Sequence, residues 1–163
     1  MREQVLHPLE PIFDKNSKVL ILGTMPSPVS RKQSFYYAHP QNRFWRVMFE
    51  ILGQPFSTER DDRIKLCLDN GIALWDVIKS CTIEGAADSS IKNAVPNDLS
   101  IILGTADIKA VFTTGQTAGK LYKKLCYPQT GIAAAVLPSP SGANCAVKTE
   151  FLTERYREIL RYL

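Results

Sequence analysis

Lys18-Val19-Leu20-Ile21-Leu22-Gly23, running on into Thr24-Met25-Pro26-Ser27-Pro28, is the stretch that decides the fold. A short continuous apolar run that ends at a glycine is the pattern of a strand buried on both faces, as strands are inside a parallel sheet. The pattern recurs at Gly71–Asp76, Ile108–Thr113 and Ile132–Leu137. Between these runs the spacing is helical. Asn42–Leu52 sets Phe44, Trp45, Val47, Met48, Ile51 and Leu52 on one face and stops at Gly53. Thr58–Asn70, Gln116–Leu125 and Lys148–Tyr162 read as further helices, and Asn97–Leu103 as a short one behind Pro96. Four apolar strands alternating with helices predict an α/β protein: a three-layer αβα sandwich around a central four-stranded parallel sheet. At 163 residues the chain is expected to be a single domain over 1–163.

Hydrophobic content of 45% with 22% charged residues is that of a globular protein. No run approaches the ~18 apolar residues of a membrane-spanning helix, and Met1–Leu9 has no apolar run of the kind a signal peptide needs. Cys67, Cys81, Cys126 and Cys145 show no metal-binding spacing, with only His7 and His39 to assist. No metal, cofactor or membrane is expected, and four unpatterned thiols fit the cytoplasm. The net charge of +4 hides a division. Between Asp14 and Glu50 there is no acid but Lys15, Lys18, Arg31, Lys32, Arg43 and Arg46; between Asp107 and Glu150 there is none but Lys109, Lys120, Lys123, Lys124 and Lys148. The remainder holds nine basic and sixteen acidic residues. If the two stretches meet in the fold, a polyanion is a natural partner; solvated charge scattered by chance is the alternative.

Both acid-free stretches carry a stiff Pro-Ser-Pro loop at the end of a strand, Met25-Pro26-Ser27-Pro28 and Leu137-Pro138-Ser139-Pro140. Ligands of open parallel sheets bind beyond the carboxyl ends of the strands, and proline holds such loops in extended conformations. Between them lies Phe35-Tyr36-Tyr37-Ala38-His39-Pro40-Gln41-Asn42-Arg43-Phe44-Trp45. Phe44 and Trp45 begin the apolar face of the following helix and read as core, whereas Tyr36 and Tyr37 read as freer to face a ligand. Aromatic rings can stack on bases and basic side chains neutralise phosphates. Asn42 has two readings, a helix N-cap and a ligand-facing amide. No phosphate-binding glycine loop or nucleophile elbow occurs. His7 and His39 have no evident serine or cysteine partner, and Asp76 is the one acid at a strand end.

Gly23-Thr-Met-Pro26, Tyr37-Ala-His-Pro-Gln-Asn-Arg-Phe-Trp45 and Leu137-Pro-Ser-Pro-Ser141 together resemble the uracil-DNA glycosylase superfamily, and most closely its hypoxanthine-DNA (deoxyinosine) glycosylase branch. The resemblance spans about Val19 to Asn144. It implies a monofunctional glycosylase that takes a deaminated base flipped from DNA, hypoxanthine first and uracil in mispairs as the alternative. It implies a base site at Gly23, Thr24, Met25, Tyr37 and Asp76. DNA contacts fall at Ser27, Arg31, Lys32, His39, Arg43, Ser139, Ser141 and Asn144. Two departures stand out: Met25 occupies the place of a water-directing Asp, Asn or Glu, and Leu137 that of a histidine. In the deoxyinosine branch the asparagine of the central run takes over, so Asn42 is the expected catalytic residue. Asp76 either reads the base edge or caps the turn after its strand. The same two departures leave a catalytically silent DNA-binding protein as the reading from another class. DNA must reach the sheet edge, so a monomer is expected.

Overall fold

The structure is a computed structural model that describes residues 3–85 and 87–163. In chain order the elements are β1 (Glu3–Leu6), β2 (Val19–Gly23), α1 (Pro28–Gln33), α2 (Phe44–Ile51), α3 (Arg60–Asp69), β3 (Ile72–Asp76), β4 (Ile78–Glu84) and β5 (Ala87–Pro96). There follow α4 (Ser100–Leu103), β6 (Ala110–Thr114), α5 (Gln116–Leu125), α6 (Tyr127–Thr130), β7 (Ala134–Leu137) and α7 (Thr149–Tyr156). Short 3-10 helices cover Gly142–Asn144 and Arg157–Tyr162.

The four apolar runs form one sheet in the order β3-β2-β6-β7, and every pair in it is parallel. β2 and β3 are buried at every residue, as their unbroken apolar sequences require. α2 turns Phe44, Trp45, Val47, Met48, Phe49 and Ile51 into the core. Phe44 and Trp45 pack edge to face with centroids 5.1 Å apart, so their reading as core holds.

Several boundaries differ from the sequence reading. β6 and β7 each begin two residues later than their apolar runs. The closing helix changes at Tyr156 from α to 3-10 geometry. The segment read as a helix from Asn97 is helical only over Ser100–Leu103. Asn97 is instead buried, its Nδ2 donating to the carbonyls of Asp76 (2.9 Å) and Ile78 (3.2 Å).

The larger difference is a second sheet, antiparallel, in the order β1-β4-β5. β4 buries only Ile78, Cys81 and Ile83, β1 only Val5 and β5 none of its described residues, and register shifts interrupt the β4–β5 ladder three times. Half-exposed, bulged strands lack the continuous apolar signal that reveals β2. The N-terminal segment ties the sheets together. β1 pairs with β4, and beyond Pro8 the chain bridges Ile12 to Leu74, covering the free edge of β3.

Candidate active site

Because the central strands are parallel, their carboxyl ends at Gly23, Asp76, Thr114 and Leu137 emerge along one edge. From β2 the chain goes first to β3 on one side and later to β6 on the other, which puts the topological switch point between β2 and β6. A cleft of about 890 Å³ opens there, walled by Gly23–Ser27, Tyr37, Asn42, Thr114–Gln116 and Leu137–Ser141, with Asp76 among its lining residues.

Gly23 and Asp76 are register partners at the base of the cleft. A Cβ on Gly23 would stand 2.4 Å from Asp76 Oδ1 and 3.2 Å from the Tyr37 hydroxyl, so only glycine permits this approach. Asp76 is 4% exposed. Its Oδ2 lies 2.7 Å from His7 Nε2, and the His7 side chain is buried as well. The chain thus gives His7 an acid for a partner, 69 residues away. We expect Gly23→Ala to displace the Asp76 carboxylate and cut turnover on the order of 10²-fold. The same substitution should cost about 1–3 kcal/mol in stability by overpacking. Urea titration beside single-turnover kinetics checks both.

Tyr37 stacks on Phe44 with ring centroids 3.9 Å apart and planes inclined by 16°. Its hydroxyl is 3.0 Å from Thr114 Oγ1. Burial, and then the Asp76 charge, push its phenol well above the ordinary tyrosine value, so the ring stays neutral. Tyr37 has φ of 50°, a left-handed conformation that costs a side chain about 1–2 kcal/mol. The stacking and the hydroxyl contact hold it there. Tyr36, read as facing a ligand, is instead 3% exposed. Its hydroxyl donates to the Glu10 carbonyl at 2.6 Å, and its own carbonyl accepts from Trp45 Nε1 at 2.9 Å.

The loop after β2 is anchored by its oxygens. The Gly23 carbonyl accepts from Val77 N–H and that of Thr24 from Ile78 N–H, while Pro26 O accepts from Arg31 and Ser27 O from Arg31 N–H. Ser27 caps α1, its Oγ accepting the Ser30 N–H. Thr24 and Met25 are both buried at the cleft wall. Asn42 is half-buried and lines the cleft. Its Oδ1 accepts the Phe44 N–H at 2.9 Å and its own N–H donates to the His39 carbonyl. Asn42 thus lies one residue before Arg43, the N-cap of α2, so its reading as the N-cap is corrected: its side chain closes an Asx-turn onto Phe44, the first residue of the helix, while it lines the cleft as the ligand-facing reading expects. With one Oδ1 lone pair engaged, the amide has its NH₂ and a second lone pair to offer.

The central segment and the second Pro-Ser loop touch. Arg43 N–H donates to the Pro140 carbonyl at 2.9 Å, and the Arg43 guanidinium donates to the carbonyls of Asn144 and Val147. Arg43 is thus a brace for the second loop. Asn144 Nδ2 donates to Ser139 O, Ser139 Oγ accepts from Ser141 N–H, and Ser141 Oγ accepts from Ala143 N–H. Arg31 is partly buried between Pro26 O and Glu3. Lys32, His39 and Lys148 remain exposed. Not all of the divided charge gathers at this edge. Lys18 and Lys109 stand at the amino ends of β2 and β6, the opposite edge, joined by a backbone bond from Lys109 N–H to Lys18 O. Arg46 lies over the Phe56 ring at 4.5 Å.

Asp88, from the start of β5, is a second carboxylate at the cleft. It reaches solvent, yet crowding by the cleft walls raises its carboxyl above the ordinary aspartate value. The Thr24 hydroxyl opposes that shift and the Asp76 charge adds to it. Neither His7 nor Asp88 carries a local signal of its place, since both arrive on the sheet whose strands lack a continuous apolar run. Among the described residues no group of three or more His, Cys, Asp or Glu could hold a metal ion.

Residues 10–163 match the family model described as the uracil DNA glycosylase superfamily. The chain is 37% identical over 136 residues to a hypoxanthine DNA glycosylase of Methanosarcina barkeri, covering 82% of this chain and 85% of the relative. To a hypoxanthine DNA glycosylase of Methanosarcina acetivorans it is 35% identical over 135 residues, covering 82% and 84%. Among solved structures it is similar to the solution NMR structure of a candidate uracil DNA glycosylase from M. acetivorans. The TM-score is 0.79 at 29% identity, with 98% of this chain and 99% of that one covered.

Proposed function

The chain belongs to the uracil DNA glycosylase superfamily, and from that membership we propose that it releases hypoxanthine from deoxyinosine in DNA by hydrolysing the N-glycosidic bond. It would act as a single αβα glycosylase domain over residues 1–163, monomeric, cytoplasmic and without a cofactor, leaving an abasic site for base-excision repair. The observation that carries the reading is Asp76 Oδ1 beside Gly23 at the base of the cleft, an acceptor where an extruded base would arrive. Deamination of adenine turns the N1 lone pair into an N1–H donor. A carboxylate oxygen accepts from the product and repels the parent. Guanine shares the N1–H, but opposite cytosine it stays paired and carries the full cost of extrusion, which is smaller for a mispaired hypoxanthine. The two named hypoxanthine DNA glycosylases among the relatives support the same substrate.

Departure of the base leaves a sugar with oxocarbenium character and an anionic purine. The Gly23–Ser27 loop, with its carbonyls tied back into the protein, has backbone N–H groups to set against that anion, as an oxyanion hole does. Asn42 holds the attacking water between its NH₂ and the free lone pair of Oδ1; an amide is no base, so its contribution is position. Tyr37 supplies a fixed ring beside the base. No lysine is among the described residues that line the cleft, which supports hydrolysis without a Schiff base and hence without strand cleavage.

A panel of labelled duplexes bearing one deoxyinosine, deoxyuridine or deoxyxanthosine, treated with alkali after the enzyme, checks the substrate. Cutting is expected at deoxyinosine foremost. Strong cutting at deoxyuridine with none at deoxyinosine would transfer the assignment to uracil. Salt-dependent DNA binding with no cutting anywhere would make the chain a binding protein.

A further inference from the structure

His7 is buried beside the cleft without lining it, and it touches the one residue whose polarity defines the base site. Its two ring nitrogens have different neighbours. Leu9 N–H donates to Nδ1 at 3.3 Å, so Nδ1 carries a lone pair. The proton therefore sits on Nε2, which donates to Asp76 Oδ2 at 2.7 Å. The segment that presents His7 is itself fixed: its backbone N–H donates to the Lys79 carbonyl, Leu6 pairs with Ser80, and Pro8 follows. Asp76 is held at three points, by its register with Gly23, by Asn97 on its carbonyl and by His7 on its outer carboxylate oxygen. Only Oδ1 is left for the cleft.

We infer that His7 is a positioning and specificity-determining residue of the glycosylase: it fixes the Asp76 carboxylate so that Oδ1 is an obligatory hydrogen-bond acceptor for the N–H edge of a deaminated base. The inference rests on Asp76 reading that edge. A free carboxylate could rotate, meet a base edge-on or recede from it. Pinned by Nε2–H, it presents one oxygen in one place. The same bond draws negative charge toward Oδ2, away from the purine anion that forms when the glycosidic bond breaks. Because His7 is covered, it acts on base recognition and leaves DNA affinity alone.

The test uses the full chain with His7→Leu and His7→Gln, a deoxyinosine duplex, and the imidazole ¹⁵N spectrum. Below the unfolding temperature of each variant, His7→Leu is expected to slow single-turnover release about 10–100-fold, the value of a hydrogen bond to a charged group. Binding of an undamaged duplex should not change. His7→Gln, whose amide N–H reaches the same carboxylate oxygen, should restore most of the rate. In the wild type, ¹⁵N shifts should report Nε2–H with an unprotonated Nδ1, and the Nε2–H resonance should move in Asp76→Ala. A His7→Leu protein that is less stable yet releases hypoxanthine at the wild-type rate would reduce His7 to a structural role and overturn the inference. A failure of His7→Gln to rescue, in a folded protein, would do the same. Should the wild type release no base from deoxyinosine, the reading of Asp76 falls and this inference falls with it, whatever the variants do.

Discussion

Asn42→Ser is expected to lose base release by at least about 10²–10³-fold, the scale seen when one preorganised polar group is removed from a site, while the protein stays folded. Serine is chosen because it separates the two duties of Asn42. A serine hydroxyl can close the same turn onto the Phe44 N–H, so α2 should keep its start. It offers no NH₂ to the cleft and does not reach as far. Asn42→Ala removes that hydrogen bond as well and should cost about 0.5–1.5 kcal/mol, or a few degrees of unfolding temperature in a chain of this length. DNA affinity at fixed salt should stay at the wild-type value in both, since the exposed cations are untouched. Single-turnover kinetics, thermal unfolding and duplex binding on the same preparations separate these effects. Equal activity in the serine variant would leave Asn42 a turn-closing residue ahead of α2 and nothing more.

Asp76→Asn is expected to lower hypoxanthine release about 10²-fold or more, for a reason specific to this site. His7 Nε2–H needs an acceptor, and Leu9 N–H on Nδ1 keeps the ring from changing tautomer. The new amide must therefore give its oxygen to His7 and turn its NH₂ to the cleft, donor against donor with the base N1–H. Adding His7→Leu frees the amide to rotate and should raise release above that of the single Asp76→Asn variant. One deleterious change relieving another is the signature of direct coupling in a double-mutant cycle. Additive losses would mean that the two side chains do not act together.

The contrast between Val19–Gly23 and Ile78–Glu84 shows what was legible in the sequence. A strand buried on both faces writes itself as an unbroken apolar run, so β2 and β3 could be recognised, and with them the edge from which the Pro-Ser loops rise. Tyr37 and Asn42 lie in one dense segment between those loops and both line the cleft, but the roles expected of them rest on the family resemblance and not on their position. β4 buries Ile78, Cys81 and Ile83 at uneven spacing and its ladder with β5 is broken by shifts, so neither period is clean. Long-range pairing alone brings His7, through β1, to Asp76 and Asp88, through β5, to the cleft. Charge was half legible. The two acid-free stretches do meet, at Arg43 and Pro140, yet strand direction sends Lys18 and Lys109 to the far edge. Arg43 itself is turned inward as a brace.

The central claim is that the cleft at the β2–β6 switch point removes hypoxanthine from DNA, with Asn42 in the chemistry. Chromatography of the free base released from a deoxyinosine duplex, wild type beside Asn42→Ser and without alkali, tests it most directly. The account predicts free hypoxanthine and an intact abasic strand from the wild type, and neither hypoxanthine nor an abasic site from the variant. No hypoxanthine from the wild type, or the same yield from both proteins, would contradict it.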